Sequence, residues 1–167
     1  MKVFSANIQD LRSLYISNLK KALDMEQKIT KALPELIEKA TDPDLILAFE
    51  THLEETRSHV TAVESLLQRS IGESKTETCK VINGLTTEAA DTVKDVTDTS
   101  IRDIALIGAA QQVEHHEIAV YGTLRRWAEI LGLNEDVVVL EAIEEDEGNA
   151  DALLSEIAER VNFQAAA

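Results

Sequence analysis

The chain has 167 residues, of which 44% are hydrophobic, and this is enough to bury the core of one folded domain. Its formal net charge of -15 disfavours nucleic acid and anionic membranes as partners, because phosphate groups bind basic faces. The single cysteine, Cys79, excludes an intrachain disulfide, and no apolar run reaches the roughly 20 residues that span a bilayer. The N-terminal sequence lacks a signal-peptide core, so we expect a cytoplasmic protein.

Helices dominate the predicted structure. The chain has only 6 Gly and 2 Pro, and its commonest residues are good helix formers, which favours an all-α fold over a turn-rich β fold. Apolar residues recur at spacings of three and four, as on one face of a helix. Helices are predicted at about residues 7–40, 43–70, 75–96, 101–131 and 134–162.

The first two predicted helices are separated by a short turn, "ATDPD". Asp42 or Thr41 is expected to cap the second helix, and Pro43 suits its first position. Gly72 is expected to end that helix. The first two long helices are therefore predicted to form an antiparallel pair.

The last two predicted helices form a second antiparallel pair. In "DTSIRD", Ser100 and Asp103 have the spacing of a capping box, and Gly132 ends the fourth helix. A long, partly helical connection joins the two pairs. This is the layout of a ferritin-like four-helix bundle with one long crossover, and we expect a single domain over residues 1–167.

Ionisable residues occur on the apolar stripes of all four long helices. Residues three, four or seven apart share a helix face, because each residue turns the chain by about 100°. The residues on these stripes are Glu26 on the first long helix, His52, Glu55 and His59 on the second, Glu114, Glu117 and Tyr121 on the third, and Glu144, Glu147 and Asp151 on the fourth.

Distances from the turns place these side chains at one height. Glu26 lies about 15 residues before its turn, opposite about residue 57, and Glu117 lies about 16 residues before its turn, opposite about residue 149.

A buried carboxylate costs several kcal/mol unless it is paired, and several carboxylates at one level repel each other. Two divalent cations remove this repulsion. Carboxylate and imidazole ligands favour Fe first and Mn second.

Four segments carry a resemblance to a known family: "AFETHLEET" (48–56), "INGL" (82–85), "IRDIALIGAAQQVEHHEIAVYGTL" (101–124) and "EEDEGNADALLSEIA" (144–158). They resemble the YciE/YciF stress-protein family over about residues 8 to 160. The resemblance implies a ferritin-like fold, related in architecture to rubrerythrins, with a dinuclear metal site. The implied ligands are Glu26, His52, Glu55, Glu114, Glu117 and Glu147, with a contribution from Asp151.

The sequence departs from the Glu-x-x-His ligand pattern on two helices. Three residues after Glu55 stands Ser58, and three residues after Glu147 stands Ala150. The second ligand on each of these helices therefore has two candidates. These are His59 in place of His52, and Glu144 in place of Asp151.

Two functional classes agree with these features. In the first, a redox-active di-metal protein reduces peroxide or activates dioxygen with external electrons, and Tyr121 hydrogen-bonds close to the metals. In the second, the protein is a metal-stabilised structural or iron-binding homodimer without turnover. A metal-free bundle with protonated acids is a third reading, and the sequence alone does not decide whether the protein is an enzyme.

Overall fold

The structure, a computed structural model, describes residues 8–165, with side chains through residue 163. Within this range the chain forms helices and turns without a β-strand, so the all-α prediction is confirmed. The helices are α1 (Leu11–Lys39), α2 (Pro43–Ile71), α3 (Lys80–Asp95), α4 (Thr99–Ile130) and α5 (Asn134–Ala165).

The four long helices form a bundle of two hairpins. α1 packs against α2, and α4 packs against α5, each pair being joined by a short turn. α1 also packs on α4, and α2 on α5, which closes the ring of four helices. The crossover between α2 and α4 contains α3, which lies against α4 and only lightly against α1. The predicted bundle with its partly helical crossover is therefore confirmed.

The helix ends in the first hairpin follow local signals. Asp10 caps α1 through a 2.7 Å bond from the Ser13 N–H, so α1 begins after the predicted start at residue 7, which lies outside the described residues. Asp42 caps α2 by accepting from the backbone N–H of Leu45 at 3.2 Å. Gly72 ends α2 with a φ of 72°, which only glycine adopts without strain.

The predicted capping box at the start of α4 is wrong. Asp98 is the cap, because its side chain accepts from the Ile101 N–H at 3.0 Å, and Ser100 lies inside the helix. Asp103 points into the protein instead, where it accepts from the N–H of Thr41 at 2.8 Å and from its hydroxyl at 2.6 Å. Asp103 therefore fixes the turn of one hairpin to the first helix of the other.

Helix α3 begins at Lys80 rather than near residue 75. The preceding segment bonds to α1 instead of to itself: the Ser17 hydroxyl donates to the Glu77 carboxylate at 2.7 Å, and the Cys79 N–H donates to Asp24 at 2.7 Å. A helical conformation would withdraw these groups from α1. A bilayer-spanning stretch is not found in any helix between residues 8 and 165.

Candidate metal centre

Six ionisable side chains meet at mid-height of the bundle, inside the ring of long helices. Each is 5% exposed or less, which is unusual for acids and histidines outside a functional site. All four long helices contribute, as their apolar stripes predict. The six are Glu26 from α1, His52 and His59 from α2, Glu114 and Glu117 from α4, and Glu147 from α5.

The apolar residues along each helix hold these side chains inside. Glu26 follows the fully buried Met25 and precedes the buried Ile29 by one turn, so it lies on the face of α1 that packs in the core. On α4, the buried Ala110 and Tyr121 flank the two glutamates in the same way. The free energy of burying these neighbours, roughly 1.5 to 3 kcal/mol for each large side chain, drives the acids into the interior.

The six side chains form two groups that share Glu147. In the first group, His52 Nε2 lies 3.4 Å from Glu114 Oε1 and 3.9 Å from Glu147 Oε2, and Glu117 completes the set. In the second group, His59 Nδ1 lies 3.0 Å from Glu147 Oε1 and 3.9 Å from Glu26 Oε1. The potential ligand atoms of each group all lie within 4.8 Å of one another.

The hydrogen-bonding of this cluster is incomplete. In the described part of the chain, nine buried side-chain nitrogen and oxygen atoms have no hydrogen-bond partner, and all nine belong to the six residues of the cluster. The contact of His59 Nδ1 with Glu147, although only 3.0 Å long, is poorly directed for a hydrogen bond. Unpartnered buried polar atoms are rare in folded proteins, so their concentration here fits a bound cation.

The electrostatics of the acids oppose their ionisation in the absence of cations. Burial, with the negative charge of Glu147, raises the pKa of Glu26 to about 8, although His59 and the Tyr121 hydroxyl act in the opposite direction. Burial and the charge of Glu147 also hold the pKa values of Glu114 and Glu117 well above their usual range. These acids therefore release their protons readily only when another positive charge replaces them.

His59 behaves differently because acids surround it. Burial alone lowers the pKa of its imidazole, but the carboxylates of Glu147 and Glu26 outweigh this effect and raise the pKa to about 9. Its other ring nitrogen, Nε2, lies 3.2 Å from Asp146 Oδ2. A carboxylate at the outer nitrogen fixes the ring orientation, as is usual for histidines that bind metals.

Tyr121 lies beside the cluster, where the sequence predicts it. Its hydroxyl donates a short hydrogen bond to Glu26 Oε1, and both side chains are fully buried. Burial and the neighbouring Glu26 carboxylate hold the pKa of Tyr121 well above its usual range. Tyr121 therefore remains a hydrogen-bond donor and leaves the other oxygen of Glu26 free.

Two predicted ligands and one alternative lie outside the two groups. Glu55 is half-buried, and its carboxylate lies 3.6 Å from the outward Nδ1 of His52. Asp151 accepts from Gln111 at 3.2 Å. Glu144 accepts from Arg125 at 2.7 Å.

The two histidines of the "EHHE" segment also remain outside the groups. His115 is exposed, and His116 lies 3.7 Å from the sulfur of Cys79. His59, which the sequence offers as a replacement for His52, lies in the cluster together with it. The signal for both is their seven-residue spacing on the buried stripe.

The fold and the buried cluster define a ferritin-like helical bundle. The chain belongs to the family described as "Domain of unknown function (DUF892)", whose model matches residues 10–167. It is 33% identical over 153 residues to Protein YciF of Escherichia coli K12, covering 91% of this chain and 92% of that protein. The resemblance to the YciE/YciF family is therefore confirmed.

Solved structures support the same fold. YcfI of Rhodopseudomonas palustris, whose description proposes a structural role, superimposes with a TM-score of 0.88 at 37% identity, covering 92% of this chain and 98% of that one. The E. coli stress protein YciF has a TM-score of 0.88 at 32% identity, covering 93% and 99%. A ferritin-like, diiron-carboxylate protein of Bacillus anthracis Ames has a TM-score of 0.69 at 19% identity, covering 90% and 99%.

Proposed function

We propose that the protein is a ferritin-like protein that binds two divalent metal ions. The observation that carries this proposal is the set of nine unpartnered polar atoms, all within one buried cluster. Two ligands on opposite sides of an ion lie about 4 Å apart when each bond is about 2 Å long. This agrees with the spacing within each group. The proposed ligands are Glu26, His52, His59, Glu114, Glu117 and Glu147, with Glu147 shared.

The charges of the cluster also support two ions. The four buried carboxylates balance two divalent cations if both histidines are neutral. Glu55 and Asp151 keep their place in the proposal as adjacent groups. The Glu55 carboxylate lies 3.6 Å from Nδ1 of His52, and the negative charge of Asp151 contributes to the raised pKa of Glu114. The mixture of carboxylate oxygen and imidazole nitrogen favours Fe, with Mn second.

We further propose that the loaded protein reduces peroxide or activates dioxygen during stress in the cytoplasm. When bound, two redox-active metal ions would supply one electron each, and together these electrons would reduce one hydrogen peroxide, with two protons, to two waters. Within the chain, the six ligands hold the ions, and Tyr121 orients Glu26 by hydrogen bonding. A separate reductant restores the starting state. The description of YciF as a stress protein supports the physiological setting.

The second candidate is a structural homodimer in which the metals only stabilise the bundle. Apolar side chains on the outer faces of α2 and α5 favour it, since Leu47 is 61% exposed and Leu153 is 43% exposed. These two side chains line one shallow groove, of the kind that a second copy buries in a symmetric dimer. The structural role proposed for YcfI agrees with this candidate.

Elemental analysis of the purified and reconstituted protein tests the metal proposal. We expect about two ions per chain in the unmodified protein. Glu147→Ala is expected to remove both, because this residue is shared, and Glu117→Ala is expected to remove at least one. Glu55→Ala separates the alternatives, since a loss of metal assigns Glu55 as a ligand. Glu38→Ala, an exposed change on α1, is the control that keeps full metal content.

A second measurement separates turnover from a structural role. In the first candidate, the absorption spectrum of the reduced, fully loaded protein changes when peroxide is added. In the second, chelation lowers the melting temperature, the protein sediments as a dimer, and peroxide leaves the spectrum unchanged. A correctly folded protein that retains less than one tightly bound ion per chain would refute both candidates and favour protonated acids.

A further inference from the structure

An apolar cavity of about 360 Å³ lies between α1, α3 and α4. It exists because α3 packs on α4 but only lightly on α1, and because alanines line the resulting gap, among them Ala32, Ala89 and Ala109. Its volume is within the range of small-molecule sites, about 300 to 1,000 Å³.

The two ends of the cavity differ chemically. Its inner end reaches His52 and Glu114 of the candidate metal centre, and its outer end is lined by Lys39, Lys94 and Arg102. Along α4, the distance from Arg102 to Glu114 is twelve residues, or about 18 Å. The walls between the ends are mainly apolar. The cavity is therefore mainly apolar, with cationic side chains at its outer end.

The cations at the outer end are available to a ligand. Acidic side chains outnumber basic ones by 31 to 16 in this chain, yet no described carboxylate lies within 4.0 Å of the charged nitrogens of Lys39, Lys94 or Arg102. The Arg102 side chain donates instead to the backbone carbonyl of Lys39 at 3.1 Å, which fixes the guanidinium of Arg102 against the last turn of α1. Glu35 is the acid that lines the cavity near these three cations, and its single negative charge leaves the outer end with a net positive charge.

We propose that this cavity binds a single-chain anionic amphiphile, namely a medium-chain fatty acid. The carboxylate lies against Lys39, Lys94 and Arg102, and the hydrocarbon chain extends along the alanines towards His52 and Glu114. The opposite orientation is disfavoured, because it removes the carboxylate from the three cations and places the hydrocarbon chain against their charged groups. The methyl end of the fatty acid then lies next to the proposed metal site, so the meaning of that contact rests on the proposed function. Binding of the fatty acid itself depends only on the cavity and its cationic end.

Chain length provides the first test. Each methylene transferred from water into the cavity is expected to strengthen binding about three- to fourfold. Isothermal titration of the protein as purified, with hexanoate, octanoate and decanoate below their micellar concentrations, should show this trend with one site per chain. Decyltrimethylammonium, which has the same tail with a cationic head, should bind at least about tenfold more weakly than decanoate.

Variants on the same helices provide matched controls. Ala109→Leu fills the cavity and should weaken decanoate binding at least about tenfold, whereas Ala119→Leu adds the same atoms to an exposed position of α4 and should have no effect. Lys39→Gln should weaken binding about two- to fivefold, and Lys31→Gln, an exposed lysine on α1 outside the cavity, should leave it unchanged.

The outcomes separate this inference from the metal proposal, because metal content is measured in the same samples. Absence of saturable decanoate binding in protein that holds two ions per chain would overturn the cavity ligand and leave the metal site intact. Equal binding of both head groups, or an unaffected Ala109→Leu variant, would overturn it as well. Decanoate binding that Ala109→Leu abolishes, in a variant with unchanged metal content, supports it.

Discussion

Removal of the metals is expected to make the stability of this protein fall as the pH rises. Burial, together with Glu147, raises the pKa of Glu26 to about 8 from an ordinary 4.5. Between these values the folded chain keeps a proton that the unfolded chain releases, so the free energy of unfolding decreases with pH. His59, with its pKa raised to about 9 from 6.5, acts in the same direction, because the folded chain again holds the extra proton.

The expected magnitude is large compared with the stability of a domain. Each pH unit between the two pKa values of one group changes the free energy by about 1.4 kcal/mol. For Glu26 the interval from 4.5 to about 8 corresponds to about 5 kcal/mol, against a total stability of about 5 to 15 kcal/mol. Bound cations replace the protons, so the metal-loaded protein should not show this loss, and its metal affinity should rise with pH.

Urea denaturation followed by circular dichroism measures this effect. Chelated and metal-loaded samples are compared between about pH 5 and about pH 8. Asp42, which caps α2, stays ionised over this whole range, because its hydrogen bonds with Arg160 lower its pKa below 3.8. Protonation of Asp42 therefore does not contribute to the measured change in stability. Glu26→Gln should reduce the pH dependence of the chelated protein without abolishing it, because burial also raises the pKa values of Glu114 and Glu117. The exposed Glu38→Gln should leave the pH dependence unchanged. A chelated protein whose stability is constant or rises over this range would refute the reasoning.

Three further substitutions test contacts away from the centre by the same denaturation assay. Tyr15→Phe removes a buried hydroxyl that donates to Asp136 at 2.8 Å, and should lower stability by about 1 to 2 kcal/mol. Asp103→Ala removes the acceptor of the Thr41 N–H and hydroxyl, and should lower it by about 2 to 3 kcal/mol; an unchanged value would show that this contact does not brace the hairpins. Gly122→Ala places a Cβ 2.7 Å from the flexible carboxylate of Glu144 on α5, but it also improves helix propensity by about 1 kcal/mol. We therefore expect the free energy of unfolding to change by less than about 1 kcal/mol, and a loss of several kcal/mol would contradict this expectation.

The fold follows from local sequence signals because most of its helix ends depend on residues close in the chain. Asp42, Pro43 and Gly72 act within one turn of their own helix, and the structure has them in the predicted roles. Asp103 is different, because its partner Thr41 is 62 residues away. A local pattern contains no information about such a contact, and the nearby Asp98 satisfies the same capping requirement.

The sequence also predicts that acids meet at mid-height of the bundle. It does not determine which of several neighbouring ionisable residues on one helix points into the cluster. On α2, His52 and His59 differ by about 20° around the helix axis, whereas Glu55 is displaced by about 60° from His52. On α5, Asp151 lies about 40° to one side of Glu147, and the buried Ile143 lies about 40° to the other. The packing of neighbouring helices decides which flank is buried, and this is a tertiary property.

The origin of the six clustered side chains has a consequence for how the molecule assembles. Three of them come from the α1–α2 hairpin and three from the α4–α5 hairpin, and each of the two groups draws on both. Neither half of the chain can offer a complete coordination sphere by itself. The proposed metal sites therefore form only after the two hairpins dock, and the crossover is a tether that keeps the effective concentration of one hairpin near the other high.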